Sequence, residues 1–471
     1  MFDVDLMDRY IVKQMEEQNI PGLSIVFSDA SGIVFDRAYG YRDGKREKPV
    51  DGDTIMGVAS LSKSVTALCV ALLEHEGKLS MEDPVTRFFP RFKIPGVPKD
   101  AVLIKYLLSH TTGLPLLPTL THCMAKHTVR DPGEKWAVDK LDRLIEVDTV
   151  DDIIDYIVEG DNETVGQPGE YTSYSNDCYA ILSSVVDQAA GMSIEKYMDK
   201  KVFQPLGMTR SALGYDRLSG FDNVTQVFTK GEDGQVTASD NWSIAPPYRG
   251  CGWIISSSRD MHKYYKMLSQ NGVFEGQRIL PESVVDRLLG NDFPTLKTSV
   301  YAYGLGKVLC RGEVLFSHAG SLKGVASAGA FFKDRGVAGT VLTNMGGVDA
   351  VRILMGAFNI AQGHSPEEHT HNFVISDRPP QEPWIYEGFY GAREHGMSIY
   401  AYPYKVAREN GKLVLTLAGD EKRQLVYCGE NYFLAPKDAN NPLRDCMFIK
   451  FYVRNDKAWA LQTANRMYQR I

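Results

Sequence analysis

Two β-rich runs near the N-terminus, Leu23–Phe27 and Ile33–Tyr39, are joined by Ser28-Asp-Ala-Ser-Gly32 and predict a hairpin. Three further runs of the same kind stand far along the chain, at Val314–Phe316, Ala326–Phe332 and Val337–Thr343. Leu6, Tyr10, Ile11 and Met15 recur at helical spacing ahead of the hairpin, and Val351–Ile360 reads as a helix behind the last strand. The long stretch between is mostly helical, with clear segments after Ser60, at Ala180–Ala190 and at Ser193–Val202. This order predicts an α+β domain over residues 1–362. One sheet is built from both ends of that segment, flanked by helices, and the helical insert packs on or beside it.

The chain then changes character. Residues 363–383 hold the polar stretch His364-Ser-Pro-Glu-Glu-His369 and the prolines Pro379, Pro380 and Pro383, which predict a linker. Aromatic residues become denser beyond it. Short apolar runs, Met397–Tyr402, Leu413–Leu417, Phe448–Val453 and Ala458–Gln462, alternate with Asn-Gly, Gly-Asp and Asn-Asp turns. A second, small all-β barrel-like domain is therefore expected over 384–471.

Composition narrows the function by exclusion. The 471 residues carry 52 basic and 59 acidic side chains, a formal net charge of −7, without a basic block, so no nucleic-acid partner is expected. No stretch approaches the ~20 apolar residues of a membrane span. Met1 to Pro21 is charged throughout and lacks the basic start and apolar middle of a secretory leader. The seven cysteines are scattered, with no Cys-x-x-Cys, and read as reduced thiols. A cytoplasmic protein is expected, and a homo-oligomer is left open. The ten histidines form no metal-binding pattern, and there is no phosphate or dinucleotide loop, so neither metal nor organic cofactor is expected.

The chemistry concentrates in three short motifs. Ser60-Leu-Ser-Lys63 opens the most apolar helix of the chain. Residues three apart share a helical face, so the Ser60 hydroxyl and Lys63 amine can meet. A serine nucleophile needs an adjacent base, and a lysine serves if burial or nearby cations keep it neutral part of the time. Ser193 and Lys196 repeat the spacing without an evident partner. Tyr174-Ser-Asn176 follows the loop Gly166-Gln-Pro-Gly-Glu170 and precedes a helix. It fits a proton-shuttling tyrosine with a lysine-bridging asparagine, although the motif taken alone favours a buried tyrosine with a capping asparagine. His318-Ala-Gly320-Ser321 follows the strand Val314–Phe316, where small residues let a substrate backbone approach and the Ser321 amide can face an oxyanion.

In this order the motifs resemble those of the serine penicillin-recognising enzymes: class C β-lactamases, D-aminopeptidases, DD-carboxypeptidases and related esterases. Leu107-Leu-Ser-His-Thr-Thr-Gly-Leu114 and Gly252-Trp-Ile-Ile-Ser-Ser-Ser-Arg-Asp260 look like two further family segments. The resemblance implies an acylated Ser60, a general-base pair of Lys63 and Tyr174, and support of lysine and substrate by Asn176. It places the oxyanion between the Ser60 and Ser321 amides, with His318 and Gly320 on the substrate strand. The tail resembles the lipocalin-like barrels some of these enzymes carry.

One departure matters. Typical β-lactamases and DD-carboxypeptidases have Lys-Thr-Gly where this chain has His-Ala-Gly, and their lysine and threonine help bind the substrate carboxylate. Alanine offers no hydroxyl, and histidine is at most half charged near neutrality at its reference pKa of ~6.5. His-x-Gly resembles the D-aminopeptidase branch. The expected activity is a cofactor-free serine hydrolase cleaving amide or peptide bonds of small or D-configured substrates, such as small molecules or short peptides. A carboxylesterase or acyltransferase of the same fold, and an acylated sensor or small-ligand binder without turnover, are the alternatives.

Overall fold

The computed structural model describes residues 2–471 except 135, 141–142, 161–163, 232, 297–298, 370–373, 392–403, 418–419, 439, 441 and 444. An eight-stranded antiparallel sheet runs in the order 293–296, 299–301, 306–310, 313–322, 325–332, 337–343, 22–29 and 32–40. The N-terminal hairpin is closed onto the late strands by pairing of Leu23 with Thr343 through Ser28 with Ala338. One sheet is thus assembled from the two ends of the segment.

Side-chain alternation along Val325–Phe332 feeds two layers, since successive strand residues point to opposite faces. Ala326, Ala328, Ala330 and Phe332 pack with Met7, Tyr10 and Ile11 of the helix Val4–Gln18 and with Ile353, Ala357 and Phe358 of the helix Ala350–Ala361. Val325 and Phe331 face the larger core, which holds the helices Ser62–His75, Asn176–Ala190 and Ser258–Ser269. Every residue from Ser62 to Leu73 is buried, which explains why that helix is apolar on most faces.

Beyond Pro383 a nine-stranded antiparallel sheet curls into a nearly closed barrel, its end strands Lys422–Gln424 and Val426–Gly429 being adjacent in the chain. Tyr386, Tyr390, Phe433, Phe451 and Leu461 fill it. The expected runs at 413, 448 and 458 are the strands Lys412–Thr416, Cys446–Arg454 and Lys457–Thr463. Met397–Tyr402 lies outside the described residues. No helix among the described residues is long and apolar enough to cross a membrane.

One local expectation needs correction. His318-Ala-Gly320 does not follow its strand but lies inside it, because Glu313–Leu322 pairs with Val325–Phe332 as far as the Leu322–Val325 turn. Three strands beside it, Phe293–Leu296, Ser299–Tyr301 and Gly306–Cys310, have no sequence counterpart. They are three to five residues long, too short for alternation to register, and are held by pairing with their neighbours.

Candidate active site

Ser60 sits in a single 3-10 turn, Ala59–Leu61, that leads into the buried helix Ser62–His75. The residue before it, Ala59, has φ +46, a left-handed conformation that a Cβ-bearing residue adopts at a cost. This bend turns the Ser60 side chain toward Lys63. The Lys63 Nζ donates to Ser60 Oγ at 3.2 Å, to Asn176 Oδ1 at 2.9 Å and to the Cys251 carbonyl at 2.9 Å, and lies 3.2 Å from the Cys251 sulfur. It also lies 4.9 Å from the centre of the Tyr174 ring.

The Tyr174 loop is built on the segment Leu107–Leu114. The His110 carbonyl accepts from the Ser173 amide, the Thr111 carbonyl from Gly169 and the Gly113 carbonyl from Val165. Gly113 has φ +86, and a Cβ there would lie 2.3 Å from the Gly166 carbonyl oxygen, so glycine is required. His110 Nδ1 accepts from the Ser175 amide at 3.1 Å, and its ring stacks 4.2 Å from Tyr174. Ser175, not Asn176, caps the following helix through Cys178 N–H, which leaves the Asn176 side chain free for Lys63.

The strand Glu313–Leu322 forms the opposite wall. Its pairing with Gly306–Cys310 stops at Ser317, so the edge from His318 onward is open on that side. A Cβ on Gly320 would lie 2.3 Å from Ser327 Oγ and 2.5 Å from the Val58 carbonyl oxygen, so only glycine lets the strand approach the nucleophile turn. Ser60 and Ser321 both border two cavities that meet there, one of about 900 Å³ and one of about 430 Å³.

Electrostatics pull on Lys63 in opposite directions. Burial works against its ammonium, while the Cys251 thiol and Tyr174 phenol beside it favour the charged form and hold it above its ordinary range. Burial pushes the Cys251 thiol up in turn, so near pH 7 it lends Lys63 no negative charge. Burial and the nearby Lys63 charge push His318 down to about 4, so it is neutral near pH 7. Its Nε2 is 3.0 Å from the Tyr301 hydroxyl.

A family model for Beta-lactamase matches residues 7–361. The chain belongs to the Beta-lactamase family. Penicillin-binding protein 4* of Bacillus subtilis strain 168 is 30 % identical over 196 residues, which is 42 % of this chain and 39 % of that protein. The chain thus spans about two-fifths of the length of this curated relative. The octameric penicillin-binding protein homologue from Pyrococcus abyssi has the same fold, with 24 % identity, TM-score 0.68 and 99 % of each chain covered. A D-stereospecific amidohydrolase from Streptomyces sp. shares the fold at 20 % identity and TM-score 0.61, over 76 % of this chain and 98 % of that one.

Within this Beta-lactamase-family fold, Ser60, Lys63, Tyr174, Asn176, His318, Gly320 and Ser321 are gathered in one place, whereas Lys196 of the second Ser-x-x-Lys is exposed. Sequence reasoning missed Cys251, although the flanking Gly250 marks tight packing: a Cβ there would lie 2.4 Å from Ser183 Oγ and 2.8 Å from Thr66 Oγ1. It missed Tyr301, which carries no motif. It also missed Arg466 in the barrel, whose guanidinium lies 5.4 Å from the Tyr174 ring centre and lines both cavities. Its Nε is buried without a hydrogen-bond partner among the described residues.

Proposed function

We propose that this chain is a serine acyl-transfer enzyme that cleaves amide or peptide bonds of small or D-configured substrates through an acyl-enzyme on Ser60. The observation that carries the reading is the placement of Lys63 Nζ between Ser60 Oγ and Asn176 Oδ1, beneath the Tyr174 ring. Lys63 and Tyr174 act as one proton-sharing unit. Ser60 Oγ attacks the carbonyl carbon as its proton passes to the Lys63–Tyr174 pair. The oxyanion forms between the Ser60 and Ser321 amides. Collapse breaks the C–N bond, and the leaving nitrogen takes the proton back. Water then repeats the sequence and releases the acid.

His318 is neutral near pH 7 and Ala319 has no hydroxyl, so the charge for a substrate carboxylate comes from Arg466, which lines both cavities and whose Nε has no hydrogen-bond partner among the described residues. The D-configured preference is supported by the shared fold with the D-stereospecific amidohydrolase. Acyl transfer to an amine is a second reading, favoured by the 900 Å³ cavity, which has room for an acceptor beside the leaving group. The test is mass spectrometry of the protein incubated with paired D- and L-amino-acid amides, short peptides, esters and a cephalosporin. The reading expects an acyl mass on the Ser60 peptide, absent in Ser60→Ala, and faster turnover of D-amides. Turnover retained in Ser60→Ala overturns it.

A further inference from the structure

The two cavities that meet at Ser60 differ in character. The smaller, about 430 Å³, is walled by Leu120 and Met124 of the helix Thr119–His127, by Trp136, by Trp253 and by Leu322. Glu134, Lys323 and Arg466 also line it, and the first two are already committed. Lys323 Nζ lies 2.8 Å from Asp131 and 2.8 Å from Glu134, with its side chain only 7 % exposed. Asp131 also accepts from Ser239 Oγ at 2.7 Å and Asn241 Nδ2 at 2.6 Å, and Glu134 from the Asp131 amide at 3.0 Å. A cationic side chain entering this cavity would lose its water, find Glu134 occupied and face Arg466. A bulky apolar one would replace water against five apolar walls.

We propose that this cavity is the acyl pocket and that it selects a bulky, uncharged apolar side chain next to the scissile carbonyl, of leucine or phenylalanine size. The larger cavity, which shares Arg466 with the smaller one, then receives the leaving group. This rests on the acyl-enzyme reading above. Trp136 is the wall most directly set for the purpose. Arg130 stacks over its ring at 5.0 Å and pairs with Asp139 at 2.5 Å, while Asp139 accepts from the Trp136 amide at 2.9 Å. Lys323 ties the 131–134 stretch of the same loop to the end of the His318 strand, so the wall is fixed relative to Ser321.

The experiment measures kcat/KM for the full-length protein with alanine, leucine, phenylalanine, aspartate and lysine amides in both configurations, alongside acyl-Ser60 mass. The expected result is a preference for leucine and phenylalanine of at least ~10-fold over alanine and ~100-fold over lysine. Trp136→Ala should cut the phenylalanine-to-alanine ratio by about 10-fold, and Leu120→Ala, a milder change at a half-buried site, should cut it in the same direction. If acyl-Ser60 forms but alanine, aspartate or lysine amides do as well as phenylalanine, the pocket assignment is overturned while the acyl-enzyme stands. If both variants slow all five substrates equally, these walls do not select. If selectivity follows the leaving group instead, the two cavities are assigned the wrong way round. If no substrate acylates Ser60, the mechanism and the pocket fall together.

Discussion

The backbone amide of Tyr174 donates to the carbonyl of Asn465 at 2.7 Å. Tyr174 belongs to the loop beside Ser60, and Asn465 to a turn of the C-terminal barrel. That turn joins Lys457–Thr463 to Arg466–Arg470 through Ala464 and Asn465, with φ +47 and +62. Two consecutive left-handed residues make a tight, twist-matched hairpin, so the barrel delivers a rigid tip. Gln462 Nε2 adds a bond to the Thr172 carbonyl at 2.8 Å, and Val165, Ala460 and Met467 form a buried contact beside it. The barrel therefore holds one edge of the site as well as lining it.

Removing residues 381–471 should leave a folded remainder, because the eight-stranded sheet and its two cores use no barrel residue. The Tyr174 loop would lose its Asn465 partner and the site its Arg466. Circular dichroism should show a cooperative unfolding transition, while kcat/KM should fall at least ~10-fold, the scale of one lost positioning contact.

Arg466→Ala in the intact chain isolates the charge from the support. Substrates bearing a free carboxylate should lose ~10–100-fold in kcat/KM, the range of one charge-assisted hydrogen bond, and neutral amides should change little. Equal losses for both would mean that Arg466 only props Tyr174.

Lys63→Arg keeps the cation but changes its shape and fixes its proton. Acylation should drop by at least ~10²–10⁴-fold in both Lys63→Arg and Lys63→Ala, with His318→Gln milder. The check is the burst rate of acyl-enzyme formation. Near-normal acylation by Lys63→Arg with a dead His318→Gln would make His318 the base.

Gly320→Ala should separate the His318 strand from the nucleophile turn. The new Cβ would lie 2.5 Å from the Val58 carbonyl oxygen, a backbone atom that cannot swing aside. Stability should fall by ~1–3 kcal/mol in denaturant titration, and acylation should fall more steeply than substrate binding.

Acid should destabilise the fold through His318. Its folded pKa of about 4 lies below the ordinary 6.5, so between those values the unfolded chain binds a proton that the native protein does not. Stability is full above pH ~6.5 and declines as pH falls toward 4. His110, pushed well below its usual range chiefly by burial, acts in the same direction. Unfolding midpoints measured across this window should slope less in His318→Gln than in the wild type.

The sequence alone determined the elements whose physics is local. Ser60 and Lys63 share a helical face by spacing, and helical periodicity placed the helices that carry them and follow Asn176. The turn chemistry of the tail announced a barrel. The motif order was enough to suggest the family. Tertiary structure decided what depends on long-range approach. Cys251 meets Lys63 from 188 positions away where Gly250 packs, without room for a Cβ, against the Thr66 and Ser183 hydroxyls. Tyr301 meets His318 through strands too short to show a pattern. The charge balance at Lys63 depends on Cys251 and Tyr174, which reach it from other segments. Arg466 stands in the site because a hairpin of the second domain docks on the Tyr174 loop, and no spacing rule connects residues whose proximity is set by the packing of two domains.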